Sequence, residues 1–199
     1  MKNNQTGRSM VEMLGVLAII GVLSAGGLAG YSKAMFKHKL NSTMDQITML
    51  VTNIRTMYGT QASYNGLTNG QAVQLGIVPA VMGTDTGSTA TLTNPFKGSV
   101  TIDGTATAKS GAAAGTAFTV LYTGLPTEAC IALSTTDFGS GAGSGFIGVD
   151  IGTTSTVNVG DVASSTSRGE GNAYAMSAAI TACNASGTKD NASIIWKFY

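Results

Sequence analysis

Few side chains in this sequence can do chemistry, and their spacing narrows what that chemistry is. Glu12 stands alone at the mouth of an uncharged run, "MLGVLAIIGVLSAGGLAGYS", Met13 to Ser32. A carboxylate beside apolar sequence is costly to take out of water and calls for a partner. Within the chain, only Arg8 lies at a helical spacing from it, and an exposed pair of that kind contributes ~0.3–0.5 kcal/mol. Cys130 and Cys183 both fall in the second half. Their spacing fits neither a metal knuckle nor a CxxC redox pair. In a sequence of surface type they read as one disulfide made in an oxidising compartment, with two free buried thiols as the alternative.

The remaining candidates are weaker. His38, the single histidine, sits between Lys37 and Lys39, which makes a basic cluster facing lipid headgroups a better reading than a catalytic base. No HExxH, P-loop or nucleophile–base pair is present. Asp137, Asp150, Asp161 and Glu170 are scattered through Gly/Ser/Thr sequence. They read as solvated loop charges, with a calcium site as the alternative. Neither a metal, nor a cofactor, nor an enzymatic activity is expected. The Asn-x-Ser/Thr triplets at Asn41, Asn184 and Asn191 are common by chance in such sequence and carry no glycosylation reading.

Composition agrees with a surface protein. Charged residues make up 11% and the net charge is +1, so there is no basic patch for nucleic acid and no acidic tail. Gly is abundant, Pro scarce, and Ala, Ser and Thr crowd the second half, as in secreted β-rich domains. Apolar alternation and aromatics persist to Tyr199, which argues against a disordered tail.

The elements that must position these residues fall into three zones. Residues 1–7 are a short polar leader. Arg8 to Tyr58 reads as one helix in two halves. The first, 13–32, holds twenty uncharged residues; at about 1.5 Å per residue they span the ~30 Å hydrocarbon core of a bilayer. In the second, 33–58, Leu40, Met44, Ile47, Val51, Ile54 and Tyr58 make one apolar stripe that should lie on a head domain, with Gly59 as the stop. Two heptads are too few to argue a coiled coil. Residues 59–199 read as that head. A short helix is expected from about Thr68 to Leu75. Strands with one buried face are expected at "SVTID" (Phe-free, Ser99 to Asp103), at "AFTVLYT" (Phe118, Val120, Tyr122 inward), at "FIGVDI" (Ile147, Val149, Ile151 inward) and at "SIIWKFY" (Ile194, Trp196, Phe198 inward). "PTEACIAL" reads as a helix with Pro126 at its first position, and "GNAYAMSAAITAC" as a helix ending near Cys183.

The amino-terminal stretch has the pattern of a processing signal: a short basic leader ending in Gly7, four residues, Glu12, then the apolar run. An ordinary secretory signal fits less well, because the apolar run is too long and the helical pattern continues past Lys33. The pattern resembles the class III signal of type IV pilins. "LGIVPAVM", "TNPFKG", "PTEAC" and "TAC" resemble the head of the type IVb branch. The resemblance implies that a prepilin peptidase cuts between Gly7 and Arg8 and methylates the amino group of Arg8. The family usually begins its mature chain with Phe or Met, so Arg8 is a departure. It implies that Glu12 meets that amino group in a neighbouring subunit during assembly. It also implies that the helix lies against an antiparallel sheet, with the cysteines closing a C-terminal subregion.

Gly21, Gly26 and Gly30 have two readings. The GxxxG spacing of Gly26 and Gly30 lets membrane helices approach closely. Each glycine also makes local unwinding cheap, at about 1 kcal/mol relative to Ala. One rule disagrees with the topology: Lys2 and Arg8 precede the span, while Lys33, Lys37 and Lys39 follow it, against the positive-inside bias.

The expectation is therefore an α+β pilin, a helical spine and a disulfide-closed head. Its resemblance implies a single-pass precursor in the bacterial inner membrane with the head in the periplasm, partnered by the lipid bilayer, the prepilin peptidase and the inner-membrane assembly machinery. It would then polymerise with itself into an extracellular pilus serving adherence, aggregation, DNA transfer or motility. The alternatives are a minor pilin or type II secretion pseudopilin, and a single-pass protein whose head binds a ligand without polymerising.

Overall fold

The computed structural model describes residues 10–87, 90–108, 112–139, 145–153, 173–185 and 187–199. Helix α1 runs Met10–Tyr58. The chain divides into two compact units, Met1–Lys39 and Leu40–Tyr199, and α1 contributes to both. Its sequence contains no proline, so nothing interrupts the ladder of backbone bonds. Thr48, Thr52 and Thr56 each donate a hydroxyl proton to the carbonyl four residues earlier. That bond accommodates β-branched residues on the exposed side of a helix. The helix ends at Tyr58, ahead of Gly59, where a Cβ would approach the Arg55 carbonyl oxygen to 2.8 Å.

In the second unit α1 buries Thr43, Gln46, Ile47, Leu50, Val51, Ile54 and Tyr58. Ile47, Val51, Ile54 and Tyr58 of the expected stripe are buried, whereas Leu40 and Met44 are only half-buried, and Thr43 and Leu50 are fully enclosed beside them. The buried positions 43, 46, 47, 50, 51, 54 and 58 recur three and four apart and make one side of the helix.

The head then folds as α2 (Asn69–Gln74), β1 (Leu92–Thr93), β2 (Ser99–Asp103), β3 (Phe118–Leu125), α3 (Thr127–Ser134), β4 (Phe146–Gly152), α4 (Met176–Cys183) and β5 (Ala192–Phe198). Thr68 caps α2 by accepting from the Gln71 amide. Gly76 closes it in the left-handed region, φ +68°, a conformation that favours glycine. Helix α3 begins one residue later than expected, because Pro126 is its extended N-cap. Helix α4 begins at Met176, not upstream: Tyr174 instead gives its amide to the Ser134 carbonyl and its hydroxyl to Asp150 Oδ1 at 3.0 Å.

All strand pairs are antiparallel, in the order β1-β2-β3-β5-β4. Register places Phe118 opposite Phe198, Val120 opposite Trp196 and Tyr122 opposite Ile194, and Val149 and Ile151 continue the same rows into β4. This is the face that α1 covers. Tyr58 meets Tyr64, Tyr64 meets Phe118, and Phe118 stacks on Phe198 with centroids 5.6 Å apart. Ile147 leaves the row expected for it, because a register shift between Phe146 and Gly148 puts Phe146 opposite Phe198; Ile147 clusters instead with Ala106 and Ala117.

The expectation of one buried face fails for β5. All seven of its residues are buried. It is the inner strand between β3 and β4, and α3 lies against both β4 and β5 while α4 lies against β4. Its second row therefore holds Ser193, Ile195 and Lys197 away from water. The Lys197 Nζ is enclosed with no hydrogen-bond partner among the described residues, opposite Thr119 on β3 and Gly148 on β4. Burial lowers its pKa from the ordinary lysine value, because a low-dielectric site disfavours the charged form.

Two predictions follow from this packing. A fragment beginning near Ala34 is expected to be monomeric and soluble by size-exclusion chromatography, whereas one beginning after Tyr58 should aggregate, having bared the aromatic face. In the longer fragment, Lys197→Met is expected to raise the unfolding free energy by about 1–3 kcal/mol, since it removes an unpaired buried cation. The folded pKa is lowered, so the unfolded chain binds the extra proton. Wild-type stability then rises with pH between the lowered folded value and the unfolded value of 10.5, and the Met variant lacks that rise. Urea titrations of both proteins across that range read the difference directly; equal slopes would contradict the assignment.

Candidate assembly surface

The described residues of the first unit form a helix, and no apolar core is found among them. Its large apolar side chains from Met10 to Met35, among them Val11, Leu14, Leu17, Ile20, Val22, Leu23 and Leu28, are exposed. Glu12 lies in the first turn, where the partial positive charge of the helix end favours a carboxylate. At about 100° per residue, Glu12, Gly15, Gly26 and Gly30 fall on one side of the helix, and Gly21 on another. A Cβ built at Gly21, Gly26 or Gly30 meets nothing within 4 Å. Packing within the described residues therefore gives no reason for glycine at these places; close approach by a second helix would. The expected cut between Gly7 and Arg8 lies outside the described residues. His38 is exposed on α1, with Lys37 before it and Lys39 after it.

In the head the structure joins the two cysteines. Cys130 on α3 and Cys183 on α4 form a disulfide across 53 positions, with Cα atoms 6.0 Å apart, and both are fully buried. A second tie reinforces it. Thr127 Oγ1 donates to Asp190 Oδ1 and accepts from the Asp190 amide, at 3.1 and 3.0 Å. Thr188 Oγ1 reaches the carbonyls of Ala182 and Ala185 at the end of α4. Asp137 accepts from the Gly139 amide. Asp161 and Glu170 lie outside the described residues. Among those described, no cluster of three His, Cys, Asp or Glu side chains is arranged to hold a metal ion.

One fastening has no signal in the sequence. Arg55 Nη2 donates to the Tyr199 carbonyl at 2.9 Å, across 144 positions, and its guanidinium lies 5.6 Å from the Phe198 ring centroid. Gly145 makes room for it, since a Cβ there would collide with the guanidinium. The Tyr199 amide in turn donates to the Gly145 carbonyl. The pairing of β4 with β5 brings Gly145 to Tyr199, and the second half of α1 brings Arg55 to both.

Opening the disulfide should therefore loosen α3 from α4 more than it disturbs the sheet. Cys130→Ser is expected to destabilise the head by roughly 4 kcal/mol on the chain-entropy scale, a large part of a typical domain stability of ~5–15 kcal/mol. The measurement is a denaturation curve of the oxidised head against the variant, and a shift below about 1 kcal/mol would refute this account.

Comparisons with known proteins agree with this geometry. Residues 37–198 match the family model described as PilS N terminal. Two proteins called "Major structural subunit of bundle-forming pilus", from Escherichia coli O127:H6 (strain E2348/69 / EPEC) and from Escherichia coli O111:H-, are each 26% identical over 141 residues. Each alignment covers 71% of this chain and 69% of the relative. The crystal structure of type IV b pilin from Salmonella typhi superposes with a TM-score of 0.52 at 20% identity, covering 78% of this chain and 97% of that one. With the family model spanning residues 37–198, the chain belongs to the PilS N-terminal family and has the type IVb pilin fold.

Proposed function

We propose that this chain is the structural subunit of a type IVb pilus: it waits in a bilayer and then polymerises with copies of itself into an extracellular filament. The observation that carries the reading is the exposed apolar half of α1. It has twenty uncharged residues from Met13 to Ser32, it is long and apolar enough to cross a membrane, and its large side chains lie uncovered. Lipid can cover such a surface before assembly, and the helices of other subunits can cover it afterwards. The relatives named as major structural subunits of a bundle-forming pilus support the second state. The family and these relatives support a structural role.

The finer steps rest on the pattern around Gly7. A prepilin peptidase in the inner membrane hydrolyses the amide between Gly7 and Arg8, which frees the amino group of Arg8 for methylation. The new cation of an incoming subunit then meets Glu12 of a subunit already in the filament. The periplasmic head and the inner-membrane machinery belong to the same reading. In a low-dielectric bundle of helices, a misplaced subunit leaves Glu12 buried without a counter-charge, so the pair fixes axial register. Adherence, aggregation, DNA transfer and motility are the uses open to such a filament.

Glu12→Gln tests this reading. The variant is expected to be cleaved and to fold its head normally, yet to give few or no filaments. Mass spectrometry of the membrane-bound chain reports removal of residues 1–7 and any methyl group on Arg8. Immunoblots of sheared surface material report filament yield. Normal filament yield from the Gln variant would leave Glu12 as a local partner of Arg8. An uncleaved wild-type chain would instead favour a membrane protein that never polymerises.

A further inference from the structure

The lysines that follow the apolar run remain unexplained by polymerisation. Lys33 comes immediately after Ser32, and Lys37 lies one turn further on the same side of α1, with the two Cα atoms about 6 Å apart along the helix axis. Both are exposed, as is His38. No acidic residue lies three or four positions from either lysine; the nearest acids in the helix are Glu12 and Asp45. Tyr31, 64% exposed, precedes them at the level where aromatic side chains favour the boundary between hydrocarbon and water. These cations also stand on the side of the span that the positive-inside bias disfavours.

We propose that Lys33 and Lys37 form a binding site for the phosphate headgroup of an anionic phospholipid in the outer leaflet of the inner membrane. This rests on the membrane-spanning reading of Met13–Ser32 given above. Depth and charge complementarity carry it. The end of the twenty-residue run sits at the hydrocarbon boundary, and long lysine stems reach outward from there to the headgroup layer. Two ammonium groups one turn apart on one side of a helix bracket a phosphodiester, which carries one negative charge and offers oxygen acceptors to both. A zwitterionic headgroup places its own ammonium beside that phosphate and competes with the lysines. Lysine at an anionic membrane surface favours binding by about fivefold per residue. The site would hold the waiting subunit at a fixed depth, and the contact would have to be broken, or the lipid carried along, when the subunit leaves the bilayer.

The test uses the full chain reconstituted into vesicles of phosphatidylcholine mixed with phosphatidylglycerol. Flotation first separates inserted from uninserted protein. Native mass spectrometry of the inserted chain then reads which lipid it retains. We expect phosphatidylglycerol to be enriched by roughly tenfold or more over phosphatidylcholine, within the limit of two lysines acting together. The double variant Lys33→Gln/Lys37→Gln should fall to near parity, and Lys33→Arg/Lys37→Arg should keep the enrichment. Equal retention of the two lipids by the wild-type chain, or enrichment unchanged in the Gln variant, would overturn the site. If the Gln variant loses filaments while its lipid retention is unchanged, the lysines serve a carboxylate on a neighbouring subunit and the proposal fails. A wild-type chain that does not float overturns the membrane reading and the headgroup site with it, whereas equal lipid retention by a floating chain overturns the site alone.

Discussion

Keeping Met13–Ser32 away from water is the constraint to which the other parts of this molecule answer. A folded domain meets such a constraint by wrapping the apolar segment in its own core. Here the core is complete without it. The rows of β3, β4 and β5 are closed by residues 43–58 of α1 and by Tyr58, Tyr64, Phe118 and Phe198. The apolar half of the helix must therefore find its solvent elsewhere, in lipid or among the helices of other chains. This separates the two tasks of one helix: its second half is part of a stable fold, and its first half is available for assembly.

The head has to be robust enough to leave that first half free. Its fastening is concentrated at β5. The strand takes backbone partners from both sides, its first row stacks with the aromatic side chains under α1, and Arg55 reaches across to the carbonyl after its end. The disulfide and the Thr127–Asp190 tie then lock α3 to α4 and to the turn ahead of β5. Three polar atoms without a hydrogen-bond partner among the described residues, Tyr122 Oη, Trp196 Nε1 and Lys197 Nζ, lie on or beside this strand. Burial pushes the Tyr122 phenol upward and the Lys197 ammonium downward, both toward the neutral form.

Much of this was legible in the residues. "SVTID" alternates cleanly because β2 has one face toward the core and the other toward solvent, and the strand is Ser99–Asp103 as read. The α2 boundaries, the end of α1 and the cysteine pair were equally local signals. What escaped reading is what two distant segments decide together. Strand β1 has only two residues, and its turn is built by Asn94, whose Oδ1 accepts from the Phe96 and Gly98 amides and whose Nδ2 donates to the Thr123 carbonyl. The bulge that displaces Ile147 depends on the register with β5. The enclosure of Lys197 looked like ordinary outward alternation, because periodicity records which residues alternate and not whether the second face is covered. For the assembly surface, the pattern from Gly7 to Glu12 and the glycine spacing were plain in the sequence, while the open space around the glycines needed coordinates.

The place of β5 also bears on the order in which the head can form. It is the last strand in chain order, yet it lies inside the sheet, between β3 and β4. Until it arrives, β3 and β4 have no contact with each other through the ladder, although Cys183, the partner of Cys130, precedes β5 in the chain. As a chain emerges from its amino end, the anchor and most of the head therefore precede the strand that unites them. Such long-range pairing makes folding slow compared with local structure. Without residues 192–199 the sheet would lose an inner strand and fall into two separate pieces, β1-β2-β3 and β4. Closure of the head thus depends on a strand that follows every other strand of its sheet, and only a chain that includes β5 can complete it.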